Sequence, residues 1–319
     1  MNLNKPFSLS PFYKDYLWGG DRLKKDFNKQ TDIYPLAESW EASVHKDGLS
    51  VVDSGEHKGK TLKEVLDIHK EYLGIRNDNF PILVKFIDAK SDLSIQVHPS
   101  DEYACVFEND NGKTEMWYVL DALENTKLVY GLKHKCTKDD IKKGIEDGSI
   151  VDLLNYYDIK KDDVFFIPPG TIHAIGGGSL IVEVQESSNV TYRLYDYQRK
   201  DKDGKLRRLD VDKALEVADL SGGKDIVRPM SILKYKKGEN RRLLSRCKYF
   251  EMEKVSIYDE IDYRSDELSF RILLCIEGSS ILSFEDEIIE CSVGKCIFVP
   301  ANSVNIKIKG RAKFLDIRC

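Results

Sequence analysis

Residues 162–175 read DDVFFIPPGTIHAI, and residues 294–308 read GKCIFVPANSVNIKI. Sliding the chain by 132 residues superposes the two, so that Phe166, Ile167 and Pro168 meet Phe298, Val299 and Pro300. Each copy is a short β-branched and aromatic run halted by proline, which is the signature of a strand entering a turn. In this register Asn305 falls where the first copy has His173. A β unit repeated with its apolar frame kept and its histidine lost predicts two related β domains, only one of them able to hold a metal.

The surrounding sequence is strand-rich. PILVKFIDA (81–89), LSIQVH (93–98), EMWYVLDA (115–122), KLVYGL (127–132), SLIVEVQE (179–186) and VTYRLYDY (190–197) are short, β-branched or aromatic, and closely spaced. That pattern predicts antiparallel barrels or sandwiches. Three helices are expected to interrupt them: TLKEVLDIHKEYLG (61–74) with Gly74 as its stop, a stretch opened by a Thr137/Asp140 capping box and running toward Leu154, and DVDKALEVADL capped by Asp210. The basic stretch KYKKGENRR (234–242) precedes the second set of strands, so domains are expected over 1–235 and 236–319.

Size and composition bound the function. A chain of 319 residues with 41% hydrophobic residues can bury a core without staples. Its 49 basic and 54 acidic residues are dispersed, which provides no field for a nucleic-acid backbone. No apolar run approaches the roughly 18 residues of a membrane helix, and MNLNKPFSLSPFYKD lacks the apolar centre of a signal peptide. The seven cysteines are scattered, odd in number and without a CxxC spacing, which predicts reduced thiols and a cytoplasmic protein.

Three segments carry good metal ligands. In LSIQVHPSD (93–101), strand alternation puts Gln96 and His98 on one face and Leu93, Ile95 and Val97 on the other. KTEMWYVL places Glu115 at a strand start, and PPGTIHAIG places His173 just beyond a turn. Neighbouring antiparallel strands can unite them, although 17 and 58 residues separate them in the chain. Two imidazoles and a carboxylate with an open position suit catalytic zinc and equally non-haem iron(II). Read singly, each has a plainer role: Gln96 and His98 on the wet side of a strand, Glu115 as a solvated edge carboxylate, His173 as a turn residue.

PPGTIH has the form P-x-G-x-x-H and resembles the second motif of the cupin superfamily, except that Asp162 stands where those proteins carry a glycine. The resemblance narrows with VKFIDAKSDLSIQVHPSDEYA, GKTEMWYVLDA, IPPGTIHAIGGG and QESSNVTYRLYDYQR, to which YLWGGDRL (16–23) and AESWEASVH (37–45) are added. Together these blocks resemble the type I mannose-6-phosphate isomerases of the short bacterial kind. The resemblance implies a mainly β protein of two cupin-type antiparallel β-barrels (jelly rolls) with a few inserted helices, the second barrel free of metal. It implies one Zn2+ per chain held by His98, Glu115 and His173, with Gln96 as a further ligand. Arg193 would be the catalytic arginine and Lys113 a lysine lining the same site. The implied reaction interconverts mannose 6-phosphate and fructose 6-phosphate through a cis-enediol.

Several points stay open at this level. The base that moves the carbon-bound proton is unassigned among Lys113, Glu115, Glu183 and Glu186. The substrate phosphate has Arg193 and Lys113 as candidate partners. Lys113 after Asn111 and Gly112 also reads as a solvated hairpin lysine, and Arg193 as a cross-strand partner of Asp196 or Glu186. Trp18, Gly19 and Gly20 read as a structural turn, Glu38 and Ser39 as candidates for a pocket rim, and Gly176, Gly177 and Gly178 as a flexible hairpin tip. The rival functions are an iron(II) cupin dioxygenase and a non-catalytic sugar-phosphate sensor. The expected partner is a small sugar phosphate, with no nucleic acid and no membrane, and the expected assembly is a monomer.

Overall fold

A computed structural model describes residues 4–200, 203–223, 225–226 and 232–319; the first three residues of the polar N-terminal stretch lie outside it. The first part of the chain carries β1 (Phe7–Ser10), β2 (Phe12–Lys14), α1 (Arg22–Asp26), β3 (Glu38–Ala42), β4 (Val51–Val52), α2 (Leu62–Ile68), β5 (Ile82–Ala89), β6 (Ile95–Val97), α3 (Asp101–Phe107), β7 (Glu115–Ala122) and β8 (Lys127–Leu132). It continues with α4 (Lys138–Asp147), α5 (Ile150–Leu153), β9 (Leu154–Asp158), β10 (Val164–Ile167), β11 (His173–Ile175), β12 (Ser179–Glu186), β13 (Tyr192–Tyr195) and α6 (Val211–Val217). The second part adds β14 (Ile232–Lys236), β15 (Glu239–Arg246), β16 (Glu251–Ile257), β17 (Glu260–Tyr263), β18 (Arg271–Phe284), β19 (Glu287–Ser292), β20 (Cys296–Val299) and β21 (Ile306–Arg318). The protein is thus mainly β with a few helices.

The strands form three antiparallel sheets, and none closes on itself. Two belong to the first part, in the orders β10-β7-β12-β5-β3-β2 and β13-β6-β11-β8-β9. The third runs β14-β15-β16-β21-β18-β20-β1-β4, with β17 on β21 and β19 on β18. The pairing order of the first part recurs here: β20-β18-β21-β16-β15-β14 matches its first sheet, and β17-β21-β18-β19 matches β6-β11-β8-β9. In the second copy β18 runs unbroken where β7 and β8 are separate, and β21 where β11 and β12 are separate. β10 and β20, the strands aligned by the 132-residue slide, hold the same place in both orders. β1, from the beginning of the chain, pairs with β20 of the second copy.

Alternation along β5, β7 and β12 decides what each face does. Val84, Phe86, Met116, Tyr118, Val182 and Val184 point one way, into a core shared with Phe270, Ile272, Leu274, Phe298, Leu315 and Ile317 of the second copy. Lys85, Ile87, Glu115, Trp117, Ile181 and Glu183 are the intervening residues and face the interior of the first part. Both faces are buried, which explains why PILVKFIDA and SLIVEVQE read as nearly continuous apolar runs.

Local signals held at the starts of α2 and α4 but failed at the start of α6 and misplaced some ends. Thr61 and Glu64, and Thr137 and Asp140, form reciprocal capping boxes at the starts of α2 and α4, each contributing about 1 kcal/mol. The helix expected over 61–74 stops at Ile68 and tightens into a 3-10 turn at Lys70–Leu73 before Gly74. The stretch toward Leu154 is broken at the left-handed Gly148 into α4 and α5. Asp210 makes no side-chain cap on α6; its carboxylate pairs instead with Arg208 at 3.3 Å. KYKKGENRR is a β-hairpin, β14 to β15, turned at Gly238.

The expectation of a flexible tip at Gly176–Gly178 is overturned. A Cβ on Gly176 would lie 1.8 Å from the Lys127 carbonyl, and one on Gly177 2.8 Å from Ser91. Gly177 and Gly178 donate backbone hydrogen bonds to the Asp92 carboxylate and the Ala89 carbonyl, both at 2.7 Å. The glycines are there for close backbone approach, not mobility. Gly176→Ala should therefore lower unfolding stability by about 2 kcal/mol or more, since the obstructing atom is backbone. Urea unfolding followed by circular dichroism measures this, and a wild-type midpoint would refute the packing argument.

Candidate active site

β6, β7 and β11 bring together the three residues that the sequence scattered. His173 opens β11 opposite Gln96 of β6, and Glu115 opens β7 opposite Ile167 and Gln185. One ligand atom from each of His98, Glu115 and His173 lies within 4.8 Å of the others. His173 Nε2 is 3.2 Å from Glu115 Oε1, and His98 Nε2 is 3.6 Å from Glu115 Oε2. All three residues are buried. They form the one such His, Cys, Asp and Glu cluster among the described residues.

The turn before His173 is what aims it. Gly170 sits at φ +81° and donates its N–H to the His98 carbonyl at 2.9 Å, tying the two ligand segments together. Asp162, which takes the glycine position of the cupin pattern, keeps the left-handed φ of +73° that the glycine would serve. Its carboxylate compensates by accepting hydrogen bonds from Lys254 Nζ at 2.7 Å and from the Tyr118 hydroxyl. The second copy retains the glycine, Gly294, at φ +87°.

The cluster has the donor set of a divalent cation site. Nδ1 of His173 contacts the Thr171 carbonyl at 2.9 Å; as the N–H donor it leaves the Nε2 lone pair facing the carboxylate. Both ring nitrogens of His98 and both oxygens of Glu115 are buried without a well-formed hydrogen bond. Burial holds the imidazolium form of His98 well below its ordinary range and that of His173 down to about 4, so both rings are neutral. Burial also pushes Glu115 up to about 8 even with Lys113 Nζ at 3.3 Å. Neutral imidazoles and a carboxylate short of positive charge fit a cation placed among them. Gln96 Nε2 lies 3.3 Å from His173 Nε2, and turning the amide over would present its oxygen there instead.

A cavity of about 250 Å³ opens beside the cluster, lined by Gln96, Lys113, Glu183, Lys85, Glu38 and Arg193 among others. Lys113 is 4% exposed, which removes the solvated-hairpin reading. Lys85 Nζ lies 3.1 Å from Glu183 Oε1 and 3.8 Å from Glu38 Oε2, and Lys113 Nζ 3.7 Å from Glu183 Oε1. Burial opposes charge on Lys85, but Glu183 and Glu38 outweigh it and hold the amine cationic. Burial would likewise raise Glu183, but Lys85 and Lys113 bring it below its ordinary value. Arg193 donates to Ser94 Oγ and the Arg208 carbonyl, both at 3.1 Å; among the described ion pairs none joins it to Asp196 or Glu186.

Glu186 does not line the cavity; its carboxylate accepts the Thr114 N–H at 2.7 Å. Trp18 is both a core anchor stacked on Tyr16 and part of the cavity wall. Ser39 is buried and donates to Glu41. The seven cysteines are free thiols, four of them buried. Sequence reasoning passed over Lys85 and Arg207 and placed no weight on Glu38. A lysine in the middle of an eight-residue strand buried along its whole length was the available signal for Lys85; Arg207, in a polar loop, had none.

Residues 7–127 match the family model for the phosphomannose isomerase type I catalytic domain, and residues 239–318 that for the mannose-6-phosphate isomerase cupin domain. The chain is 34% identical over 313 residues to mannose-6-phosphate isomerase ManA of Bacillus subtilis, covering 97% of each. A crystal structure of the mannose 6-phosphate isomerase from Bacillus subtilis superposes with a TM-score of 0.92 at 35% identity over 99% of both chains. The structure of a putative mannosephosphate isomerase from Archaeoglobus fulgidus follows with a TM-score of 0.78 at 26% identity, over 99% of this chain and 98% of that one. With the catalytic-domain match spanning the strands that bear His98 and Glu115, and a relative aligned end to end, the chain belongs to the type I phosphomannose isomerase family.

Proposed function

We propose that this protein is a zinc-dependent aldose-ketose isomerase that interconverts mannose 6-phosphate and fructose 6-phosphate, the activity named for its Bacillus subtilis relative. The observation that carries this is the buried His98, Glu115 and His173 cluster beside a cavity whose wall is charged. An oxygenase for apolar substrates would need an apolar wall, whereas Lys85, Lys113 and Arg193 suit a substrate rich in oxygens and carrying a phosphate.

In this reading His98, Glu115 and His173 would hold the ion, and Gln96 would add its amide oxygen. A zinc ion held there would supply Lewis-acid polarisation of a sugar oxygen without redox chemistry of its own. Arg193 brings a permanent positive charge to the substrate oxygens, and Lys113 a second on the side of Glu115. Lys85, kept cationic by its two carboxylates, orients Glu183 and does not act as the base. Glu183 is ionised, faces the cavity and accepts the proton that moves between C1 and C2. The protein would work as a cytoplasmic monomer of two cupin-type units, residues 1–235 and 236–319. The domain matches at 7–127 and 239–318 support that division, and no described helix is long and apolar enough to cross a membrane.

A coupled assay of mannose 6-phosphate conversion, run before and after chelation with metal content read on the same samples, tests the reading. Activity should vanish with zinc and return on its addition. Bound metal without turnover would discard the isomerase, and iron in its place would favour the oxygenase. His173→Ala should lose metal and activity together; a fully metallated, active variant would refute the ligand set. Arg193→Ala should keep its metal while kcat falls by something on the order of a hundredfold, as for loss of one charge partner in the transition state. Wild-type turnover there would make Arg193 structural.

A further inference from the structure

The segment that carries Lys113 belongs to no strand. Glu115 is fixed by the pairing of β7 with β10 and β12, and the His98 segment by the hydrogen bond from Gly170. Lys113 lies two residues before β7, yet its amine reaches Glu115 at 3.3 Å and Glu183 at 3.7 Å in the cavity wall. Between these two ligand segments the chain makes an excursion through α3 and returns. Asp101, three residues after His98, and Gly112, three before Glu115, meet at its base, where the Gly112 N–H donates to Asp101 Oδ1 at 2.9 Å. The approach is close, since a Cβ on Gly112 would lie 2.4 Å from the Asp101 nitrogen. Beside it the Lys113 N–H donates to the Pro99 carbonyl at 3.0 Å, and the Thr114 N–H to Glu186 at 2.7 Å.

The other oxygen of Asp101 is held from the second copy. Tyr249 lies in the turn between β15 and β16, which the Cys247 N–H closes by donating to the Phe250 carbonyl at 3.0 Å, and it packs against the core shared by the two copies. Its hydroxyl donates to Asp101 Oδ2 at 2.7 Å. Burial and the bond to Asp101 push the Tyr249 pKa well above its ordinary value, so the hydroxyl keeps the proton it donates. Burial would raise Asp101 in turn, but the bonds from Tyr249 and Gly112 bring it below its ordinary value and keep it an acceptor. Lys248 also approaches Asp101 Oδ2, but at 3.9 Å and with its side chain 79% exposed it adds little.

We infer that Tyr249, from the second copy, is a positioning residue for Lys113: through Asp101 it fixes the base of the α3 excursion, and with it the place of the amine in the cavity wall. The inference rests on the isomerase reading above for the role given to Lys113. The second copy thus reaches the reaction through one hydroxyl, although His98, Glu115 and His173 all belong to the first. Without that bond the Asp101 carboxylate is free to turn, Gly112 loses its anchor, and the amine drifts from its place beside Glu115 and Glu183. A reacting group misplaced by about 1 Å can lower turnover by up to about a hundredfold while the substrate still binds.

The test compares wild type, Tyr249→Phe, Lys248→Ala, Lys113→Met and the variant combining Tyr249→Phe with Lys113→Met in steady-state kinetics on mannose 6-phosphate, with metal content recorded. Tyr249→Phe removes only the hydroxyl and should lower kcat by roughly fivefold to fiftyfold, with KM within about twofold of wild type and the metal retained. Lys248→Ala should match wild type. On top of Lys113→Met, Tyr249→Phe should lower kcat by no more than about twofold further, because its effect passes through the lysine. Wild-type kcat in Tyr249→Phe would overturn the assignment, as would its full loss repeated on top of Lys113→Met, a loss of metal in step with activity, or an equal loss in Lys248→Ala. Hydrogen exchange of peptides covering residues 110–116, read by mass spectrometry, separates this inference from the reaction. Faster exchange there in Tyr249→Phe, with no turnover of mannose 6-phosphate even by wild type, would keep the anchor and fail the isomerase, whereas equal exchange in the two proteins would fail the anchor.

Discussion

A carboxylate with no exposure to water, Glu115, sets the terms for the rest of the first domain. Burying an ionised carboxyl without a partner is so costly that the group would rather take up a proton. The rise of its pKa to about 8 despite Lys113 shows that one lysine does not settle the debt. Two imidazoles kept neutral by the same burial complete a donor set that could hold a cation. Lys85 on β5, Glu183 on β12 and Lys113 just before β7 then form a chain of alternating charge that ends at Glu115. The chemistry of the site and the electrostatic satisfaction of the sheet are the same set of contacts.

In the second copy a buried carboxylate is met by side chains of opposite charge. Arg271 stands opposite Val299 just as Glu115 stands opposite Ile167, so a guanidinium occupies the position of the Glu115 carboxylate. Asp316, almost fully buried, accepts from Arg241 at 2.9 Å and from the Tyr263 hydroxyl at 3.0 Å, with Arg271 at 3.4 Å. The buried Asp316 is thus met by side chains of this copy, and Asn305 in the histidine position is exposed. With the β frame kept and internal ion pairs in its interior, the second copy presents an apolar face that backs the first one. That backing buries the outer faces of β5, β7 and β12, and a strand buried on both sides has little freedom to slip register. Register is what holds Glu115, Lys85 and Glu183 on the side of the cavity.

Much of this was legible in the chain. Strand-forming runs with proline and glycine stops located β5 to β8, β10, β12 and β13, because β-branched alternation and turn chemistry are local properties, whereas the long strands β15, β16 and β18 of the second copy were expected only as a set. The repeat survived because strand, proline and turn recur at a fixed spacing. His98, Glu115, His173 and Gln96 were legible as ligand types, and the linked motifs indicated that they belong together. Helix ends were less legible: His69 and Gly148 end helices through backbone geometry that the apolar periodicity does not report. The glycines at 176–178 were misread because a flexible residue and a tightly packed one look alike until the opposing carbonyl is seen.

By itself, then, the sequence determined the β architecture, its duplication, the kinds of metal-binding side chains and the family to which they point. Local pattern and motif order are written residue by residue. Only the tertiary structure decided that Lys113 is buried, that Lys85 and Glu183 form a pair across neighbouring strands, that Arg193 lacks a carboxylate partner among the described ion pairs, and that Arg207 rather than Arg208 turns into the cavity. Those facts depend on which residues far apart in the chain come within a few ångströms, and on how much water their meeting excludes, and neither quantity is carried by any short stretch of sequence.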